Sequence, residues 1–296
     1  MPQEIARTAD LHCHTTASDG SFSPAELIRE AHRKNLHTVA ITDHDVIDGV
    51  YEATKEAEIH QIRLIPGVEI SIEYKGAKVD GRSGWMHMLV YYCDPEKPLA
   101  HKLRTLQTWR TERNDRIIEK LSAVDAPITM DELRDIAKGQ IGRPHMAKLL
   151  LEKGYVQTIQ EAFDRYLAKG APAYVDKKRL SATEAITMAR AEGAVPVLAH
   201  PYSLGLDDEK LFELLKELKA AGLAGMEVYY PLHSEAYRLR LLKMASDCDI
   251  LATGGSDFHG SFKPDVALGS GINNNIRIDA SVADSLEKLK SARCVS

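Results

Sequence analysis

The chain has 296 residues, 44% hydrophobic and 27% charged, with a formal net charge of −5. That is enough for one large domain plus an insert, and the charge gives no electrostatic case for a nucleic-acid coat or a membrane-surface protein. No apolar run approaches the ~18 residues of a transmembrane helix, Met1 to Thr8 shows no signal-peptide core, and four scattered cysteines without a CxxC pair exclude a thiolate zinc knuckle and argue against a disulfide scaffold, so the expected compartment is the cytoplasm.

Strand-like and helix-like segments alternate from the start. Ala9 to His12 reads as a first strand. Ser23-Pro24-Ala25-Glu26 then starts a helix, with Ser23 as cap, Pro24 in the first turn and Glu26 reaching back. Thr38 to Thr42 is a buried-type strand ending at Asp43-His44, and a helix runs from Tyr51 to His60. Arg63 to Ile70 is the third strand and Trp85 to Tyr92 the fourth.

From Lys97 to about Val175 the pattern is nearly all helical. Leu99 to Ala123 is one long helix. Thr129 with Glu132 and Thr158 with Glu161 are two capping boxes, and Gly154 stops a helix over His145 to Lys153. Residues 97–179 therefore read as an inserted helical subdomain, flanked by a barrel over 1–96 and 180–296. Between Lys97 and Leu180 there are 17 Lys and Arg against 11 Asp and Glu, a balance of +6 that leaves −11 for the rest. A basic cap over an acidic barrel mouth would suit an anionic substrate.

Alternation resumes with a capping box at Ser181 and Glu184 and a helix from Ala185 to Glu192. Strands follow over Val195 to Ala199, Gly225 to Tyr230 and Ile250 to Thr253, separated by helices Asp207 to Ala221 and Ser234 to Asp247. Seven such units predict an α/β fold, a distorted seven-stranded (β/α)7 parallel barrel, whose site lies where the strands end.

The chemistry-bearing residues cluster at those ends. His12 and His14 are two apart, so both point to one side of the backbone. Asp19, His44, Glu69, His87, His200, Asp257 and His259 complete a set of imidazoles and carboxylates that suits a polynuclear metal site. Glu69 ends an apolar strand and needs a cation or strong donors if buried. His233 follows a strand end and is a candidate for substrate contact or proton transfer. Arg143, Lys169, Lys177 and Arg179 are candidate cations for an anionic substrate, Arg143 foremost because its planar fork matches the paired oxygens of a carboxylate or phosphate. The chain has no GxSxG and no Walker loop, so no protein nucleophile is evident.

Together the HxH with its following Asp, TDHD, GVE, the strand His, AHP and SDFH resemble the PHP (polymerase and histidinol phosphatase) metal-dependent phosphoesterases, over roughly residues 9–93 and 180–260. In the insert, Gly142-Arg143-Pro144-His145 and Tyr166 to Val175 look like the branch holding nucleoside 3′,5′-bisphosphate phosphatases and a 5′-to-3′ exoribonuclease of short RNA. The resemblance implies three divalent metals. His12, His14, Glu69 and Asp257 would hold the first. Glu69 would bridge to a second with His87 and His200, and Asp19, His44 and His259 would hold the third. His145 is a rival ligand for the second metal, but it lies in the insert and is preferred as a contact to substrate phosphate beside Arg143.

The implied reaction is hydrolysis of a nucleotide phosphate monoester by a metal-held hydroxide, with Glu69 and Asp257 central and His233 a candidate proton source. Thiolate-free ligands suit Mn²⁺, Zn²⁺ or Fe²⁺, and the carboxylates with the resemblance favour Mn²⁺. The expected partner is a small phosphorylated substrate, a nucleotide or short RNA, with no membrane and no obligate protein partner. Histidinol phosphatase, amidohydrolase chemistry on a C–N bond and a non-catalytic metal-binding module are the competing readings.

Overall fold

Thr38–Ile41 and Val195–Leu198 are buried at every position, as strands are when both faces of a sheet are covered. They belong to an eight-stranded sheet in a computed structural model that describes residues 7–74, 78–79, 82–83, 85–136, 141–176 and 178–291. In chain order its strands are β1 (Thr8–Asp10), β2 (Thr38–Ile41), β3 (Arg63–Ile72), β4 (Met86–Tyr91), β5 (Val195–Leu198), β6 (Gly225–Tyr229), β7 (Leu251–Gly254) and β8 (Ile278–Asp279). Their order across the sheet is β8-β1-β2-β3-β4-β5-β6-β7. Past the ends of β1 and β7, Cys13 bridges Phe258, and the His14 N–H donates to the Phe258 carbonyl at 2.9 Å. The first seven strands thus form a nearly closed barrel.

Two features differ from the sequence reading. The fourth strand is antiparallel to both β3 and β5. A parallel step needs a crossover, usually a helix. The connection from β3 to β4 carries only a small ladder, Lys78–Val79 with Arg82–Ser83, among its described residues. The reversal brings the start of β4, with Trp85 and His87, to the end where β1, β2 and β3 finish. The second difference is β8, which the sequence did not announce; it pairs antiparallel with the outer edge of β1.

Helices α1 (Pro24–Arg33) and α2 (Gly49–His60) pack together beside β2 and β3. The expected capping box at Ser23 and Glu26 forms in full and buries Leu27, Ile28 and Ala31 on one face. Ser181 and Glu184 do the same for α7 (Ala182–Ala191). Before α7 come α3 (Pro98–Ser122), α4 (Met130–Ile136), α5 (Arg143–Glu152) and α6 (Ile159–Ala162), the last running into a π turn over Phe163–Leu167. At α6 the box is half made: Thr158 accepts from the Glu161 N–H, while the Glu161 carboxylate turns to Gln157 N–H at 2.8 Å. Helices α8 (Asp208–Ala221), α9 (Glu235–Asp247) and α10 (Ser281–Ser291) complete the chain.

The molecule divides into two units, residues 1–101 with 180–296, and residues 102–179. The second has its own apolar core of Ile117, Leu121, Leu133, Met146, Leu150 and Leu167. No helix of the described residues is long and apolar enough to cross a membrane. Cys13, Cys93 and Cys248 are free and buried; Cys294 lies outside the described residues.

Candidate metal centre

The strand ends deliver the predicted ligands to one place, and buried carboxylates fasten the loops that carry them. Asp10, the last residue of β1, accepts from the Ser256 N–H at 2.8 Å, the Ser256 hydroxyl at 2.5 Å and the Gly269 N–H at 2.7 Å, tying the His12 segment to the segment of Asp257. Asp43 accepts from the Thr15 N–H and hydroxyl and from the Ser18 hydroxyl, bracing the loop between His14 and Asp19. Asp45 accepts from the Ser71 N–H and hydroxyl, and its own N–H donates to the Glu69 carbonyl. The β2–β3 pairing is extended in this way, and His44 comes to lie beside Glu69. On the other side, Glu69 pairs with Leu89 and Ser71 with His87. Cross-strand partners share a face, so His87 is the diagonal neighbour of Glu69.

Glu69 is the centre of the cluster. Its Oε2 stands 3.2 Å from His12 Nε2, 3.1 Å from His14 Nε2 and 3.2 Å from His44 Nδ1. Its Oε1 stands 2.8 Å from both His87 Nδ1 and His200 Nε2. Asp257 Oδ1 lies 3.2 Å from His14 Nε2 and 3.6 Å from His12 Nε2. Asp19 faces His14, His259 and His44 at 3.4, 3.4 and 3.8 Å. Three groups place ligand atoms within 4.8 Å of one another: His12, His14, Glu69 and Asp257; His14, Asp19, His44 and His259; and His44, Glu69 and His87. All nine expected ligands are thus gathered, with His200 joining through Glu69 Oε1.

Hydrogen bonds outside the cluster decide which way the imidazole lone pairs face. His12 Nδ1–H donates to Glu227 Oε1 at 3.0 Å. The Ser203 hydroxyl donates to the Trp85 carbonyl and so accepts from His200 Nδ1–H at 3.0 Å. His259 Nδ1–H donates to the Asp257 carbonyl at 2.8 Å. In each neutral ring the remaining Nε2 lone pair is then aimed at a carboxylate oxygen of Glu69, Asp257 or Asp19. Lone pairs facing carboxylates in a buried site need protons or cations between them. Buried His12 Nε2, both nitrogens of His14 and His44 Nδ1 make no hydrogen bond at all. This donor set fits divalent metal ions: imidazole and carboxylate ligands, outer hydrogen bonds fixing the tautomers, and orphaned ligand atoms facing inwards.

The electrostatics agree. Burial works against charge on His12, yet the carboxylates of Glu227, Glu69 and Asp257 push its pKa up to about 10. His14 is likewise raised, against its burial, by Asp19, Asp257 and Glu69. Burial lowers His44 to about 3. Burial would raise Glu69 and Asp257, but the surrounding imidazoles hold both carboxyls well below the usual range. A cluster that keeps its carboxylates ionised and draws in positive charge has the electrostatics to hold cations.

The cluster opens into a cavity of about 430 Å³, lined by Asp19, His44, Glu69, His87, His200, Asp257 and His259 together with Trp85, Tyr202, Tyr230, Leu232, Phe262 and Lys263. Sequence reading missed Glu227, which sits mid-strand in β6 with His12 on one oxygen and the His200 N–H on the other at 2.8 Å. It also missed Tyr230, whose hydroxyl donates to Asp257 Oδ2 at 2.8 Å, and Lys263, whose ammonium lies 2.6 Å from the same oxygen. The signal for Glu227 was the one that flagged Glu69: a carboxylate in an apolar strand. His233 is not among the lining residues and is only 2% exposed. Its Nδ1–H donates to the Val228 carbonyl at 2.9 Å, and burial lowers its pKa to about 4. That geometry suits a neutral acceptor, not the proton donor expected.

The expected phosphate contacts belong to the helical unit. Arg143 donates to the Leu167 carbonyl at 2.9 Å, with its guanidinium over the Tyr174 ring at 5.5 Å. His145 Nδ1 accepts from the Gly142 N–H at 3.2 Å. Lys169 and Arg179 are exposed, and Lys177 lies outside the described residues.

The PHP domain family model matches residues 10–251. A 5′-3′ exoribonuclease of Haemophilus influenzae is 33% identical, covering 86% of this chain and 91% of its own length. A 3′,5′-nucleoside bisphosphate phosphatase of Chromobacterium violaceum is 30% identical, covering 84% of this chain and 86% of its own. A solved structure from Bifidobacterium adolescentis, assigned as a metal-dependent phosphoesterase, superposes with a TM-score of 0.74 at 32% identity, covering 96% of both chains.

Proposed function

The chain belongs to the PHP-domain family and is a metal-dependent phosphoesterase, and from that premise we propose that it removes the 3′-phosphate of a nucleoside 3′,5′-bisphosphate. The observation that carries the reading is Glu69, buried, with one oxygen toward three imidazoles and the other toward two. A carboxylate so placed is built to bridge cations. In the proposal His12, His14, Glu69 and Asp257 hold one ion, Glu69, His87 and His200 a second, and Asp19, His44 and His259 a third, with Mn²⁺ favoured over Zn²⁺ or Fe²⁺. Bound divalent ions lower the pKa of water and neutralise phosphate oxygens.

The chain's own groups do the rest. Glu227 and Ser203 fix the rings of His12 and His200 so that Nε2 faces inwards. Tyr230 and Lys263 occupy one oxygen of Asp257 and leave the other for the cluster. Arg143 and His145, with Lys169, Lys177 and Arg179, enter the proposal as contacts to substrate phosphate. A cytoplasmic site of action fits the free thiols.

Release of inorganic phosphate from adenosine 3′,5′-bisphosphate by Mn²⁺-loaded protein tests the proposal. Turnover of histidinol phosphate with the bisphosphate left intact would overturn it. The Haemophilus relative favours one second reading, removal of nucleotides from the 5′ end of short RNA; mononucleotides released from a 5′-phosphorylated oligoribonucleotide would show it.

A further inference from the structure

Three carboxylates and four imidazoles line the cavity above the cluster, and among its lining residues Lys263 is the one lysine or arginine. Its ammonium lies 2.6 Å from Asp257 Oδ2, one carboxylate away from the oxygen that faces His14 and His12. Pairing Asp257 does not account for it. The same oxygen already accepts from the buried Tyr230 hydroxyl at 2.8 Å, and a fixed positive charge beside a site for cations repels them. An ammonium carries three donors. Asp257 takes one, and the Lys263 side chain makes no other hydrogen bond or ion pair among the described residues. With the side chain 41% exposed, two donors are open to a ligand.

The backbone beneath this side chain is held on both sides. Lys263 closes the short 3-10 turn Gly260–Phe262 that directly follows His259, its N–H donating to the Gly260 carbonyl at 3.2 Å, and the Val266 N–H returns to the Lys263 carbonyl at 3.0 Å. Ser21, in the loop after β1, anchors the turn: its hydroxyl oxygen accepts from the Ser261 N–H at 2.8 Å, and its N–H donates to the His259 carbonyl at 3.1 Å. We propose that Lys263 is a catalytic residue of the phosphoesterase, donating from its ammonium to a non-bridging oxygen of the phosphoryl group under attack while Asp257 keeps it aimed. A phosphate dianion entering among three carboxylates needs positive charge beside it, and a lysine supplies that as a compact point charge. Charge on those oxygens in the transition state is where a fixed donor lowers the barrier. The inference rests on the phosphoesterase reading and adds a contact from the barrel itself; Arg143, His145, Lys169, Lys177 and Arg179 all belong to the helical unit.

Lys263→Met keeps an unbranched apolar stem and removes the charge. Inorganic phosphate, titrated calorimetrically into the Mn²⁺-loaded protein, should bind this variant about 10- to 100-fold more weakly than the native chain, the range for loss of one hydrogen bond to a charged group. Turnover of adenosine 3′,5′-bisphosphate should fall about 100- to 1000-fold in kcat, as when one donor to a developing oxyanion is removed. Mn²⁺ per chain and the melting temperature should stay at native values, since Tyr230 still holds Asp257. Unchanged phosphate affinity or unchanged kcat overturns the proposal. Loss of Mn²⁺ from the variant also overturns it, because Lys263 would then act only as a support for Asp257. If the native protein hydrolyses no phosphate ester, the phosphoesterase reading fails, and the phosphate titration still decides whether Lys263 holds an anion.

Discussion

Glu227 touches neither the cavity nor any expected metal ion, yet it sets the orientation of two residues that do. Both its oxygens accept, one from His12 Nδ1–H and one from the His200 backbone N–H. In Glu227→Gln the amide keeps one acceptor and turns an N–H toward a donor. Metal affinity should fall about 10- to 100-fold, as when other outer partners of ligating imidazoles are lost, and a Mn²⁺ titration reads it directly. Unchanged affinity would reduce Glu227 to a space-filler. The raised pKa of His12 gives a second expectation. A group whose pKa is raised on folding stabilises fully below its unfolded value, about 6.5 for His, and that stabilisation is lost as pH rises through about 10. Neutral, buried His44, lowered to about 3, does not titrate in this window. In EDTA, therefore, the melting temperature should drop between pH 6.5 and pH 10, and His12→Gln should make the drop smaller, leaving the part that comes from His14, whose pKa is also raised. The ligand side chains were legible in the sequence because carboxylates and imidazoles at strand ends have few structural uses. Tyr230 and Lys263 were not, because a partner that acts through another residue leaves no spacing of its own; Glu227 showed only the mark of a carboxylate within an apolar strand.

Elements, rather than single side chains, decide that the strand ends meet. The loop after β7 lies directly on the His12 backbone, with the Asp257 N–H donating to the His12 carbonyl at 2.9 Å. Only glycine permits that approach at position 255, where a Cβ would stand 2.3 Å from His12 Cβ and 2.4 Å from His12 N. Gly255→Ala should cost about 1–3 kcal/mol as the loop is pushed away, visible as a lower melting temperature together with lost metal content. A melting loss with full metal content would show that the loop can shift without disturbing its ligands. Asp257 itself holds a left-handed φ of 55°, and His200 a φ of 20°; strained backbone of this kind gathers where side chains must be aimed. The seven barrel strands were readable from short apolar runs and their capping boxes. The direction of β4 was not, since an apolar run looks the same in either direction. The lack of a helical pattern in the sequence between β3 and β4 was the available clue, and the reversal of β4 is what turned His87 toward Glu69.

Across the whole chain, charge is divided unevenly. The +6 balance between Lys97 and Leu180 contrasts with −11 elsewhere. Part of the negative excess is the cluster of Asp19, Glu69 and Asp257, which bound divalent ions would neutralise. If the basic stretch draws anionic substrate by long-range attraction, kcat/KM for adenosine 3′,5′-bisphosphate should fall as NaCl is raised from 20 to 300 mM, roughly the change that cuts the screening length from about 20 to 6 Å. The fall should be smaller for the less charged glycerol 2-phosphate; equal salt dependence would remove the electrostatic role. The central claim remains that Glu69 joins cations into one hydrolytic centre. Metal per chain, determined by inductively coupled plasma mass spectrometry in native protein and in Glu69→Gln alongside phosphate release, tests it most directly. The variant is expected to lose bound metal and hydrolysis together; full metal content with hydrolysis intact would refute the bridging role of Glu69.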